Sequence, residues 1–265
     1  MGYQIDIFPP ETDYSNQDVL IGLSGGINSA AVVCWLANYP EHLKPKSVHL
    51  FYAHFREHSP DTLDFVLAIK AYAETRFKKV VYAQTNNSII DFFREIKMIP
   101  HPMVAPCTRL LKIIPMMEYF NSNKLDVDLV GYIKEERKRY YNMMDKKPSV
   151  SKDFPVTHKD NEWCFGFVKS EIGWYPKIYD IKIRGKRVFS HNNCLPCKNM
   201  SVEDLKEVEI YYPELHHLAM QLSDELKAFW GRDKDEFENH FNVAYGREDY
   251  ETNFKRQPCE HCSFD

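Results

Sequence analysis

The chain has 265 residues, 44% of them hydrophobic, and a formal net charge of −4. That length can bury a full core, and the apolar fraction is too high for a disordered chain. The charge excludes a globally basic nucleic-acid binder, although a local basic groove would escape such a count.

No apolar run approaches the roughly 20 residues that span a bilayer. Met1-Gly2-Tyr3-Gln4-Ile5-Asp6 lacks the basic-then-apolar order of a signal peptide. A cytoplasmic protein without a membrane partner is therefore expected. Its seven cysteines are then thiols and metal ligands, not disulfides.

In chain order, Asp18-Val19-Leu20-Ile21-Gly22-Leu23 reads as a short buried strand. A Gly-rich loop, Ser24-Gly25-Gly26-Ile27-Asn28-Ser29, follows it, and an apolar helix begins at Ala30 and runs to Ala37. A second strand is predicted over 47–53. A helix follows over 60–76, with Leu63, Val66, Leu67 and Tyr72 able to face a sheet. Further strands are predicted over 79–83 and 126–131. Strands alternating with helices argue for an α/β fold, a parallel sheet with helices on both faces. In such sheets ligands sit beyond the carboxyl ends of the strands, where the loop lies. From about 145 to 190, Pro148, Pro155, Pro176 and scattered aromatics predict loops and short strands. A helical stretch over 201–230, broken at Pro213, follows. The chain is divided on this basis into a nucleotide-binding core (1–145) and an irregular and helical, cysteine-containing C-terminal region (146–265).

Two consecutive glycines after a buried strand let the backbone turn tightly and approach a ligand. The N–H groups of the turn and of the next helix form an anion site, to which Ser24 and Ser29 add hydroxyls. No Gly-Lys-Ser/Thr follows, so this is not a Walker loop. The loop resembles the SGGxDS loop of the PP-loop ATP pyrophosphatase superfamily, whose sheet is Rossmann-like. Other stretches resemble its branch of PAPS reductase-like proteins. Glu57-His58-Ser59-Pro60-Asp61-Thr62-Leu63-Asp64-Phe65 is similar to the segment after the second strand, near the nucleotide. Cys107-Thr108-Arg109-Leu110-Leu111-Lys112-Ile113-Ile114-Pro115 is similar to the Cys-(Cys/Thr)-x-x-x-Lys-(Val/Ile)-x-Pro element. Gly131 followed by Glu136 and Arg139 is similar to the G-x-x-x-x-E-x-x-R element.

The resemblance implies that Ser24, Gly25, Gly26, Asn28, Ser29, Glu57, Arg109, Glu136 and Arg139 hold ATP or another adenine nucleotide. Lys112 would face its phosphates, with Arg109, three residues away, on the same helical face. Asn28 stands where the family has aspartate. It keeps a carbonyl acceptor but lacks the negative charge that would help hold Mg²⁺.

Cys194-Leu195-Pro196-Cys197 and Cys259-Glu260-His261-Cys262 form two CxxC pairs, and such spacing lets both thiolates of a pair reach one metal. The fold would have to unite the distant pairs for Cys194, Cys197, Cys259 and Cys262 to close a Zn²⁺ site. The resemblance implies instead a [4Fe-4S] cluster on Cys107, Cys194 and Cys197, with Thr108 in place of a second adjacent cysteine. Thiolates suit both metals. Cys34 and Cys164 read as core.

The function implied is ATP-dependent adenylation of an acceptor, coupled to sulfur transfer through the metal centre. Cys107 is its candidate thiol and Lys112 its charge-stabilising residue. A sulfonucleotide reductase and a non-catalytic nucleotide binder are the alternatives. The acceptor is a small molecule or a nucleic acid, and a homodimer stays open.

Overall fold

The computed structural model describes residues 12–99, 106–146, 148–195, 197, 200 and 202–226, without the side chains of 202–205. The chain opens with β1 (Asp18–Leu23), α1 (Ile27–Ala37), β2 (Ser47–Phe55), α2 (Thr62–Arg76), β3 (Val80–Asn87) and α3 (Ile89–Glu95). A short α4 (Pro106–Thr108) runs through a π-helical turn (Arg109–Ile113) into α5 (Ile114–Ser122) and then β4 (Val127–Leu129). α6 (Arg137–Asp145), β5 (Lys152–Asp153) and α7 (Asn161–Ile172) follow. A small hairpin, β6 (Lys182–Ile183) and β7 (Lys186–Arg187), precedes α8 (Val202–Tyr211) and α9 (Pro213–Leu226), which meet at Pro213.

The main sheet has the order β3-β2-β1-β4-β5, and all four of its pairings are parallel. β1 is central and apolar on both faces, as a parallel strand covered on both sides must be. Its alternate residues sort into two cores. Val19, Ile21 and Leu23 join Val48, Leu50 and Tyr52 of β2 on the face that α1 and α2 cover. Leu20 joins Phe51, Met116 and Phe120 on the face that α5 covers. The chain winds outward from β1 to β3 with helices on one face, then crosses back to β4 with α5 on the other. Right-handed crossovers require this reversal, and it opens a crevice between the carboxyl ends of β1 and β4.

Several element boundaries differ from expectation: α1 begins at Ile27 within the Gly-rich loop, β3 runs on to Asn87 past the expected end at 83, and β4 is confined to Val127–Leu129 within the expected 126–131. The stretch predicted as loops and short strands contains α7, a helix of 12 residues. Its signals are present between the flanking prolines. Asp160 accepts from Trp163 N at 2.8 Å as the N-cap, and Gly173 ends the helix at φ 91°. α7 buries Cys164, Phe165 and Val168 and packs against α1. That explains why almost every residue of α1 is buried. β5 pairs with β4, so residues beyond 145 complete the same sheet. No helix among the described residues is long and apolar enough to cross a membrane.

Candidate active site

Two serine hydroxyls organise the Gly-rich loop. Ser24 N donates to Ser29 Oγ at 3.2 Å, Gly26 N donates to Ser24 Oγ at 3.1 Å, and the two hydroxyls lie 3.1 Å apart. The N-terminus of α1 has no side-chain cap, so its first amides remain available to an anion. Gly25 adopts φ 80°, and a Cβ there would lie 2.4 Å from Thr62 Cγ2. The missing side chain therefore makes room for α2, where the sequence reading had it make room for a ligand. Asn192 ties the assembly together: its Nδ2 donates to Gly25 O and to Thr62 Oγ1, both at 2.9 Å, while its own N–H donates to Tyr179 Oη at 3.1 Å. Gly131, beyond β4, packs on the first turn of α1, where a Cβ would lie 2.9 Å from Asn28 O.

A pocket open at its mouth lies in the crevice between β1 and β4. Ser24 and Ser29 line one end, and Lys112, His58, Met116 and Asp128 form part of its wall. Lys112 Nζ also sits 5.3 Å from the centroid of the Phe55 ring, a cation–π distance. The π turn explains how Lys112 comes to face the pocket. Pro115 cannot donate to the carbonyl four residues before it, and a widened turn absorbs that mismatch. Positions three apart then separate, so Arg109 is exposed and lies outside the pocket wall. The shared face expected for Arg109 and Lys112 is corrected accordingly.

The other expected nucleotide ligands are not part of the pocket wall. The Glu57 carboxylate accepts from Ser88 Oγ at 2.6 Å and from Ile89 N at 2.9 Å, which satisfies the start of α3. Asn28 is buried, with Nδ2 3.4 Å from Glu136 Oε2. Arg139 pairs with Glu136 and lies over the Tyr132 ring. The acceptor oxygen of Asn28 is enclosed with no hydrogen-bond partner among the described residues.

Sequence reasoning passed over two polar groups of the pocket wall, His58 and Asp128, and the side chains that hold the site together. Tyr52 Oη lies 2.9 Å from His58 Nδ1 and 3.3 Å from His54 Nδ1. The phenol has one proton, so one imidazole accepts it and the other donates. Burial, then the Lys112 charge, then His54, hold the His58 imidazole well below its usual pKa. It is therefore neutral at pH 7. His58 stood inside a stretch already singled out, and Asp128 was legible as a charge within an apolar strand. Nothing local marked Asn192.

Cys107, Cys194 and Cys197 come from two distant segments. Burial pushes the Cys194 thiol up; Lys112 opposes the rise, and Cys197, Cys107 and Glu57 add to it, so all four lie near it. The donor types suit a thiolate-bound metal. Among the described residues, however, no group of three or more Cys, His, Asp or Glu is arranged to hold one. Cys259 and Cys262 lie outside the described residues. Cys34 and Cys164 are buried, and burial pushes each thiol up to about 12.

No protein-family model and no curated protein matches the chain. Among solved structures it is similar to the U34-tRNA thiolase NcsA from Methanococcus maripaludis, described with its [4Fe-4S] cluster. That match has 13% identity and a TM-score of 0.46, covering 86% of this chain and 78% of that one. It is also similar to a PAPS reductase from Candida auris in a phosphate complex, at 15% identity and TM-score 0.39, over 61% and 76% of the two chains. NMN synthetase from Francisella tularensis matches at 12% identity and TM-score 0.41, over 92% and 89%.

Proposed function

We propose that this chain is a PP-loop enzyme that binds ATP in the β1–β4 crevice and activates an acceptor oxygen by adenylation. The observation that carries this reading is the pocket itself, with Ser24 and Ser29 at one end and Lys112 in its wall. An oxygen of the acceptor attacks the α-phosphorus, the bond to the bridging oxygen breaks, and pyrophosphate leaves. The acceptor's proton passes to solvent. Lys112 and the loop amides stabilise the charge that grows on the α-phosphate and the leaving pyrophosphate, a preorganised arrangement that needs no rearrangement during the reaction. Cys107 is the candidate thiol for a sulfur-transfer step after activation.

The alternative of sulfonucleotide reduction needs a thiolate nucleophile. The tail thiols read for that role, Cys259 and Cys262, lie outside the described residues.

Calorimetry on the wild type and Lys112→Ala tests the reading. Lys112→Ala should weaken ATP binding by about 1.5–3 kcal/mol, the range for a charge-assisted hydrogen bond, and leave adenosine binding nearly unchanged. A wild type that binds no ATP would reject the reading, and equal losses for both ligands would make Lys112 a structural residue.

A further inference from the structure

β4 is a buried parallel strand, Val127-Asp128-Leu129, with a carboxylate at its centre. Asp128 is 1% exposed, and Lys152 of the neighbouring β5 forms an ion pair with its Oδ2. A carboxylate has two oxygens to satisfy, and a buried acceptor left alone is costly. Oδ1 has no hydrogen-bond partner among the described residues, yet it is not among the enclosed, unsatisfied atoms. It therefore keeps some accessible surface, and the pocket wall includes Asp128 and not Lys152.

The wall around Asp128 is apolar, formed by Phe51, Met116 and Leu129. Asp128 pairs in register with Leu20. At roughly 3.3 Å per residue, that level lies about 13 Å along β1 from Ser24. The pocket thus has an anion-binding end at the loop and an apolar end closed by one carboxylate oxygen. Such an end fits a flat aromatic body with an N–H donor on its edge.

We propose that Asp128 selects the base of the nucleotide, reading the exocyclic 6-amino group of adenine through Oδ1. A 6-oxopurine would set its own acceptor oxygen against the carboxylate and be rejected. Lys152 is the positioning residue, because holding Oδ2 turns Oδ1 to the pocket. The inference rests on the nucleotide reading above and names the group that makes the site adenine-specific.

The test measures dissociation constants of the wild type for ATP, ITP and purine riboside triphosphate, which lacks any 6-substituent. Loss of a hydrogen bond to a charged acceptor corresponds to about tenfold to a hundredfold. Wild type should therefore bind ATP at least about tenfold more tightly than either analogue. Asp128→Asn carries the argument further. Lys152 can only donate, so the amide oxygen turns to it and the amide N–H₂ faces the pocket. The preference for ATP over ITP should then fall by about tenfold or invert. Thermal unfolding reports whether the variant is folded, and if it is not, the three-ligand comparison on the wild type decides alone. Equal binding of the three ligands by the wild type, or an unchanged preference in folded Asp128→Asn, would overturn the role of Asp128 and leave the nucleotide reading standing. Failure of the wild type to bind any of the three would reject both.

Discussion

His58 and Asn28 are the residues whose environments most sharply constrain their chemistry. His58 is 5% exposed, and burial holds its pKa well below the usual imidazole value. An unfolded chain takes up a proton at this position as pH falls through about 6.5, whereas the folded chain does not, so stability falls with acidification. Each pH unit below that point costs about 1.4 kcal/mol until the folded protein is protonated too. His49, His54 and His158 are lowered as well and act in the same direction. His58→Gln, which can still accept from Tyr52 and does not titrate, should flatten the slope between pH 6.5 and 5 in denaturant titrations. An unchanged slope would mean that His58 is not held neutral. Asn28 makes the complementary case. Asn28→Asp would place a second carboxylate against Glu136, whose Oε2 lies 3.4 Å from Asn28 Nδ2. Like charges about 4 Å apart repel by about 4 kcal/mol at an effective dielectric of 20, and the Arg139 partner of Glu136 offsets part of this. The variant should lose about 1–3 kcal/mol at neutral pH and much less near pH 4, since the raised carboxyl pKa makes its cost grow as pH rises. Equal stability of variant and wild type at pH 7 would show that the two side chains do not meet.

Among the elements, the Gly-rich loop depends on a segment far along the chain. Asn192 bonds both Gly25 O and Thr62 Oγ1, and so fixes the loop against α2. Asn192→Ala should cost about 1–3 kcal/mol for the buried groups left unpaired. It should also weaken ATP binding, because the loop must then be ordered by the ligand. Thermal unfolding together with ATP calorimetry separates the effects: full affinity with reduced stability would mean that the loop holds its shape unaided. The π turn before Pro115 has the corresponding role for Lys112, setting its phase through backbone geometry instead of through a partner side chain.

For the whole molecule, the strand order decides where the site lies. β1 and β4 are distant in sequence but adjacent in the sheet, and the crevice exists because the crossovers change face between them. The same topology brings Cys107 near Cys194 and Cys197. If these thiols hold a cluster, the full chain purified without oxygen should show a broad brown absorption and about four irons per chain. Cys107→Ser should abolish the iron signal and Cys34→Ser should leave it intact. Stoichiometric zinc that is indifferent to Cys107 would reject the cluster and leave a closed zinc site to the CxxC pairs.

The amino-acid sequence by itself determined the alternation of strands and helices, the position of the Gly-rich loop and the parallel sheet. These are local properties: apolar periodicity, consecutive glycines and flanking serines act over a few residues. α7 is equally local, marked by its cap Asp160 and terminal Gly173, but Pro155 and Pro176 on either side of it carry the opposite signal of loop. Only the tertiary structure decided which polar residues line the pocket. Lys112 reaches it through a π turn, Glu57 is engaged by α3, and Asp128 becomes part of the wall because β5 supplies Lys152 for its other oxygen. Each outcome depends on which distant group satisfies a buried charge or amide. Sequence spacing carries no record of that, because a buried polar group must find a partner in space and not along the chain.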